Sequence, residues 1–415
     1  MKPGYALAVP RFAVTRSRRV RLAVPLLALA AACSDAPFTN GGGDADAGTT
    51  ADAGPQGPPA WPVFQRTSQN TGASLVNVAE PLEPAWALTS IRVSGQPLHT
   101  VAVGAGDVAY AIADASTSGV TTLLAANADG TEAWARPLAP APSDGAGIVV
   151  GDDGTVYAML DQAGTLFAFD PAGNPLWQAA TTENARSFTQ CGGVLYATFE
   201  AGTLAALDPA SGATTWTASA GSEVSSLPAC SADGSTIYVA AQTPAQIVAF
   251  GTDGTPAWTV PLPSAATSPP VVGGDGTAYV GTLDGHVVAV SPAGAVAWST
   301  PLPFSATGIA LGGTTLAVAA SDLASSNFVY GLSTAGAVVW SAALAGVPEI
   351  PIATPDGEVI VADDAGNLDV IDATGKVVET LPFGVAPVSY GLAVAASGLV
   401  LAGSGDGTLV AFGGP

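Results

Sequence analysis

The residues able to do chemistry are few. The chain has two histidines, His99 and His286, and three cysteines, Cys33, Cys191 and Cys230. Paired His or Cys could hold zinc, and a His beside a Ser or Cys could activate a nucleophile. No such spacing occurs: His99 and His286 are 187 residues apart. There is no HExxH, no Cys pair at zinc spacing and no phosphate-binding GxxxxGK[ST]. No complete Dx[DN]x[DN]G calcium loop is present either. His286 falls where segments of similar sequence carry Thr165, Thr203, Asn367 or Thr408. It is expected to be a solvated residue at a strand edge.

Charge narrows the partners. Of 11 Lys and Arg, six lie in the first 21 positions, and no Asp or Glu precedes Asp35. The remainder holds 33 acids against five bases, Arg66, Arg92, Arg136, Arg186 and Lys376, a balance of −28. A surface this acidic repels phosphate backbones and anionic headgroups, so no nucleic-acid partner is expected.

The basic start is followed by an apolar run, Leu22 to Ala32, of 11 residues. Spanning a bilayer takes about 20. The pattern is that of an export signal, and Ala30, Ala31 and Ala32 before Cys33 resemble a bacterial lipoprotein signal. Where that signal usually has Leu three residues before the Cys, this chain has Ala30. The resemblance implies that Cys33 is lipidated and becomes the new N-terminus; the alternatives are ordinary signal cleavage or an unmodified Cys. Ser34 after the Cys, rather than Asp, implies an outer-membrane destination, on the periplasmic or the surface side. Residues 1–32 are thus read as a signal peptide and 33–60 as a disordered tether. That tether is rich in Ser, Asp, Ala, Gly, Thr and Pro, with Phe38 its single aromatic.

The elements that must position any site come from residue 61 onward. Trp residues fall at 134, 177, 216, 258, 298 and 340, with spacings of 43, 39, 42, 40 and 42. A period of ~40–45 residues with several short strands per unit is the signature of propeller blades. One unit shows the grammar. A strand around Val271-Val272 precedes Thr277-Ala278-Tyr279-Val280-Gly281, a turn at Asp284-Gly285, and the strand His286 to Val290. A turn at Ser291-Pro292-Ala293-Gly294 then leads to Ala295-Val296-Ala297-Trp298. Asp-Gly pairs also occur at Asp153, Asp233, Asp275, Asp356 and Asp406. They predict two-residue hairpin turns with positive φ at both residues. The small residue of each unit (Ala168, Ala206, Ala289, Ala411) is expected to let neighbouring sheets approach. The Trp is expected to pack between blades. Where the seventh unit should carry Trp it has Glu379.

The last unit stops before its Trp strand, and Glu83-Pro84-Ala85-Trp86-Ala87-Leu88 is an orphan of that kind near the start. Placing it beside residues 408–412 completes a blade from both ends of the chain. The expected fold is therefore all-β: an eight-bladed β-propeller of four-stranded antiparallel blades over residues 61–415, closed by pairing its N-terminal and C-terminal strands. Cys191 and Cys230 would end the first strands of adjacent blades. A disulfide between them, or two buried free thiols, is expected.

These repeats resemble the PQQ-like repeat family, and Trp61-Pro62-Val63-Phe64-Gln65 followed by Asn70-Thr71-Gly72 resembles the opening of many such propellers. The resemblance implies either of two activities. Quinoprotein dehydrogenases bind PQQ and calcium and need cations for the cofactor's carboxylates, and many have an adjacent Cys-Cys pair, absent here. Envelope lipoproteins of the outer-membrane protein assembly machinery are non-catalytic scaffolds. With so few bases, the second is expected: a monomeric, cofactor-free scaffold at the cell envelope, lipid-anchored, whose partners are envelope or outer-membrane proteins. The alternatives are a PQQ-dependent oxidoreductase and an extracellular propeller binding a glycan or small ligand.

Overall fold

The computed structural model describes residues 61, 67–90, 96–114, 120–138, 145–161, 164–181, 183–224, 227–383 and 387–414. Residues 1–60, expected to hold the signal, Cys33 and the tether, lie outside the described residues. Among those residues the strands form eight antiparallel sheets, and a 3₁₀ turn at Ala105–Asp107 is the one helical element. In chain order the sheets are blades 1 to 7 (98–137, 145–180, 185–219, 223–261, 271–301, 305–343 and 352–382) and blade 8. Blade 8 takes three strands from 387–413 and its outermost from Glu83–Thr89. Glu83–Thr89 pairs antiparallel with Thr408–Gly413, with Ala87 opposite Val410. The ring is thus closed by strands from the two ends of the chain. Blade 4 counts five strands because two short segments, Glu223–Val224 and Ala229–Cys230, share its innermost place.

The sequence explains which strands lie inside. Middle strands such as Val156–Leu160 and Leu166–Phe169 are apolar throughout and buried on both faces, because a blade lies against each side of them. Outer strands alternate: Thr214–Ser219 and Val377–Pro382 turn every second residue to solvent.

Adjacent blades are joined by one repeated device. The indole of each outer-strand Trp lies over the glycine of the next blade's last turn, Trp340 over Gly375 included, and six of the seven donate Nε1–H to a carbonyl there. Trp134 donates to Pro171 at 3.0 Å, Trp177 to Pro209 at 3.0 Å and Trp216 to Thr252 at 2.9 Å. Trp258, Trp298 and Trp86 do the same to Pro292, Thr334 and Ala128. The glycine is obligatory for two reasons. Gly254 has φ +80°, and a Cβ on it would stand 2.7 Å from the Trp216 ring. The small residue of each unit lies in the core shared with the next blade, as expected: Ala206 packs with Ile237 and Val239 of blade 4, and Ala168 with Phe188 and Leu195 of blade 3. Ala125, Ala168, Ala206, Ala249 and Ala289 sit directly across from the Trp on the neighbouring strand of the same blade. A larger side chain there would displace the indole, and the blade with Trp340 has Gly331 in that place.

The turns also differ from the sequence expectation. Gly154, Gly234, Gly276, Gly285, Gly357 and Gly407 have positive φ, but the Asp before each does not. The loop is one of more than two residues, closed in one case by Gly151 N–H to the Thr155 carbonyl. Its Asp acts through the side chain instead: Asp153, Asp233, Asp275 and Asp406 accept the N–H two residues on at 3.0–3.1 Å.

The opening motif runs along the inner strand ends. Carbonyls of Ser68, Gln69, Thr71 and Gly72 accept the N–H groups of Cys230, Val272, Leu311 and Ala353, one each from blades 4, 5, 6 and 7. Trp61 exchanges two backbone bonds with Val103 of blade 1. Buried Asn70, at φ 55°, donates its amide to the Pro228 and Pro270 carbonyls at 3.3 and 3.0 Å.

Gly254→Ala should therefore destabilise the protein by about 1–3 kcal/mol in urea unfolding followed by Trp fluorescence. Gly274 is exposed and its Cβ would meet nothing within 4 Å. Gly274→Ala should leave stability unchanged or raise it by up to about 1 kcal/mol.

Candidate functional site

A propeller has two unlike faces. One carries the hairpins between first and second strands and the glycine turns under the Trp rings; the opening motif lies there. The opposite face carries the hairpins between second and third strands and the blade-to-blade connections. Its residues escape the repeat's packing duties, so a site belongs there.

This loop face is acidic. Between blades 3 and 4 an open hollow of about 490 Å³ is lined by Glu183, Glu200 and Glu223 with Asn184, Ala201 and Ser222. Arg186 pairs with Glu200 at 2.8 Å, and Asn184 donates to the same carboxylate at 3.1 Å. Thr203 donates to Glu183 Oε1 at 3.1 Å, and Glu183 Oε2 is buried without a partner. Three carboxylates with one guanidinium give the hollow a negative potential.

The two histidines sit on blades 1 and 5 and are not brought together. His99 Nε2 lies 3.5 Å from the buried Asp114 carboxylate, and His286 Nδ1 lies 3.2 Å from Asp284. Burial works to raise the Asp284 pKa, but hydrogen bonds from Thr282 and His286 hold it below the ordinary range. His286 is partly exposed at a strand edge. Two further buried carboxylates are held by their own strands and loops. Asp363 accepts from Gly346 and Asn367, and Asp369 takes the hydroxyl of Thr380. Among the described residues no three His, Cys, Asp or Glu gather as a metal requires. The repeat tyrosines are core: Tyr157, Tyr196, Tyr238 and Tyr279 are buried 5.8–5.9 Å from their blade's Trp ring.

Cys191 and Cys230 end the first strands of blades 3 and 4, and the structure joins them with Cα atoms 6.5 Å apart. The Cys230 N–H is bonded to the opening segment. Two participants were missed by sequence reasoning. Asn70 was seen only as part of a motif, although a polar residue between a Gln and a Thr-Gly gave a signal of a special backbone. Glu379 was visible as a gap in the Trp series, but its partner was not.

An eight-bladed ring with indole-on-glycine joints and this opening defines a PQQ-like repeat propeller. A family profile described as "Outer membrane protein assembly factor BamB" matches residues 116–250 and 200–349, more than half of the chain, which therefore belongs to that family. No curated protein matches in sequence. Among solved structures, BamB from Moraxella catarrhalis is similar at 17% identity and TM-score 0.63, covering 80% of this chain and 99% of its own. Quinohemoprotein alcohol dehydrogenase from Comamonas testosteroni is similar at 14% identity and TM-score 0.70, covering 88% and 82%. The computationally designed Ika8 protein gives 14% and 0.65, covering 80% and 99%. Identities this low speak for the fold alone.

The residues do not fit a PQQ cofactor. Its carboxylates need cations, and the described bases are placed elsewhere. Arg136 donates to the Gly173 carbonyl and lies over Trp134. Arg186 is taken by Glu200, and Lys376 lies in the last turn of blade 7. The hollow on the loop face repels an anionic cofactor. Mixing the purified protein with PQQ and calcium should leave the absorbance spectrum that of the free cofactor.

Proposed function

We propose that this protein is a non-catalytic scaffold of the cell envelope that takes part in outer-membrane protein assembly, held to the membrane by a lipid on Cys33. The observation that carries this reading is the family match over residues 116–349. The donor set agrees with it. The repeated Trp, Gly, Ala and Tyr hold the ring together, and the described part of the loop face offers the carboxylates of Glu183, Glu200 and Glu223. Such a face suits a partner protein with Lys and Arg at its contact rim. Crosslinking in intact envelopes followed by pull-down should recover outer-membrane assembly proteins. In the same experiment Cys33→Ser should move the protein from the membrane to the soluble fraction. Recovery of no envelope protein, with binding on a glycan array instead, would overturn the scaffold reading.

We further propose that the Cys191–Cys230 bond forms in the exported protein and staples blades 3 and 4. Their separation of 39 residues makes the closed loop long enough to matter. Reduction, or Cys230→Ser, should lower stability by about 2–4 kcal/mol, read as a lower urea midpoint with an unchanged slope. Thiols that react freely in the denatured, unreduced protein at both positions would rule the bond out.

A further inference from the structure

Two leucines on the loop face stand in solvent where other blades place polar or small residues. In blade 5 the turn between second and third strands is closed by Gly285 N–H to the Thr282 carbonyl at 3.0 Å, and its first corner is Leu283, 59% exposed. Turns closed the same way in blades 3, 7 and 8 have Glu200, Asp364 and Gly405 at that corner. In blade 6 the corresponding loop joins Thr315–Ser321 to Asn327–Ser333 and carries Leu323, 72% exposed.

Leu323 is held in an unfavourable conformation. Its φ is +60°, a left-handed backbone that a leucine rarely adopts. The loop enforces it. Ser321 Oγ accepts the Leu323 N–H at 2.8 Å, and Asp322 Oδ1 accepts the N–H groups of Ala324, Ser325 and Ser326, each at 2.9 Å. So exposed a side chain offsets little of this strain by burial within its own fold.

The two leucines belong to one surface. A Cβ on Gly285 would stand 2.7 Å from the Phe304 carbonyl oxygen, so the link from blade 5 to blade 6 runs against the Leu283 turn. The Phe304 ring stacks on Phe328, with centroids 5.7 Å apart and planes 8° from parallel. Phe328 is the second residue of the strand leaving the Leu323 loop, and both rings are half-buried.

The charge around this surface has one sign. No Lys or Arg occurs between Arg186 and Lys376, a stretch that includes all of blades 4, 5 and 6. The loop-face carboxylates of these blades are Glu223, Asp284 and Asp322, and Glu223 also lines the hollow with Glu183 and Glu200. Such a field repels anionic lipid headgroups and attracts cationic side chains.

We propose that Leu283 and Leu323, with the Phe304–Phe328 stack between them, form the docking site for a partner protein segment that presents apolar side chains flanked by Lys or Arg. This rests on the scaffold reading and names the chemistry of its partner. The partner's apolar side chains cover the leucines, and its cations meet Asp284, Asp322 and Glu223. The Leu323 loop is already fixed by its own hydrogen bonds, so docking orders little that was free before.

The test uses the full chain with Cys33→Ser, which cannot carry a lipid. A fluorescein-labelled peptide of alternating Leu and Lys should gain anisotropy on titration with it. Peptides with Ser for Leu, or Glu for Lys, should not. Leu323→Ser should weaken binding about tenfold. Leu176→Ser, at an exposed leucine on the outer strand of blade 2, should leave it unchanged. Leu323→Gly separates docking from folding, because glycine accepts this backbone. Its urea midpoint should not fall, whereas its binding should weaken as much as that of Leu323→Ser. Failure of the Leu and Lys peptide to bind, or native affinity in both Leu323 variants, overturns the proposal. Co-sedimentation with phosphatidylglycerol vesicles that Leu323→Ser abolishes also overturns it, in favour of a membrane. In envelope crosslinking, equal recovery of assembly proteins by native and Leu323→Ser chains removes this site and leaves the scaffold reading standing. Peptide binding that depends on Leu323, with no assembly protein recovered, removes the scaffold reading and leaves this site.

Discussion

The whole ring depends on an indole lying across a glycine of the next blade. The joint needs several things at once. The Trp must project from the outer strand, a glycine at positive φ must lie beneath it, and a carbonyl must wait for its N–H. A small residue must also stand opposite it in its own blade. Six of the seven joints combine packing of the aromatic ring with a hydrogen bond from the indole N–H. The glycine and the carbonyl lie in the next blade, so no blade can complete the joint alone. A blade is therefore completed by its neighbour, and the last blade by the first. That is why a propeller must close, and why a chain of this length behaves as one ring.

Closure creates the one place where the rule cannot hold. A ring made from a linear chain has a seam, and at the seam the turn that would receive an indole is replaced by two chain ends. A carboxylate accepting a backbone N–H solves the local problem at Glu379. It also brings charge into a position that is otherwise apolar around the ring. The opening segment answers the same topological need at the inner edge, where four successive inner strands each find a carbonyl between Ser68 and Gly72. Asn70 and Gly72 turn that short run through left-handed backbone so that it can follow the curve.

Because the repeat residues are occupied in holding blades together, function is left to the loops. Scaffold propellers and quinoprotein enzymes share this skeleton, and the fold does not separate them. Charge placement among the described residues supports the scaffold reading. The described bases are engaged with a carbonyl, a carboxylate and a turn, whereas carboxylates line the hollow between blades 3 and 4. A face of that sign favours cationic protein surfaces over anionic cofactors.

Much of this was legible in the residues alone. Trp spacing and strand patterning gave eight blades, and the orphan strand at Trp86 gave the closure, because period and apolar alternation are local properties of the chain. The two cysteines were placed on equivalent strand ends for the same reason. Other features required coordinates. Whether both residues of an Asp-Gly pair take positive φ depends on loop length, and the longer loop turns Asp153 into a side-chain cap. Ala206 lies against the next blade as its size suggested, but that it also stands opposite Trp216 follows from strand register, which the residue type does not give. Leu82 and Glu379 meet across 297 residues, and no pattern in the chain encodes such a contact, since ring closure alone brings the two ends together.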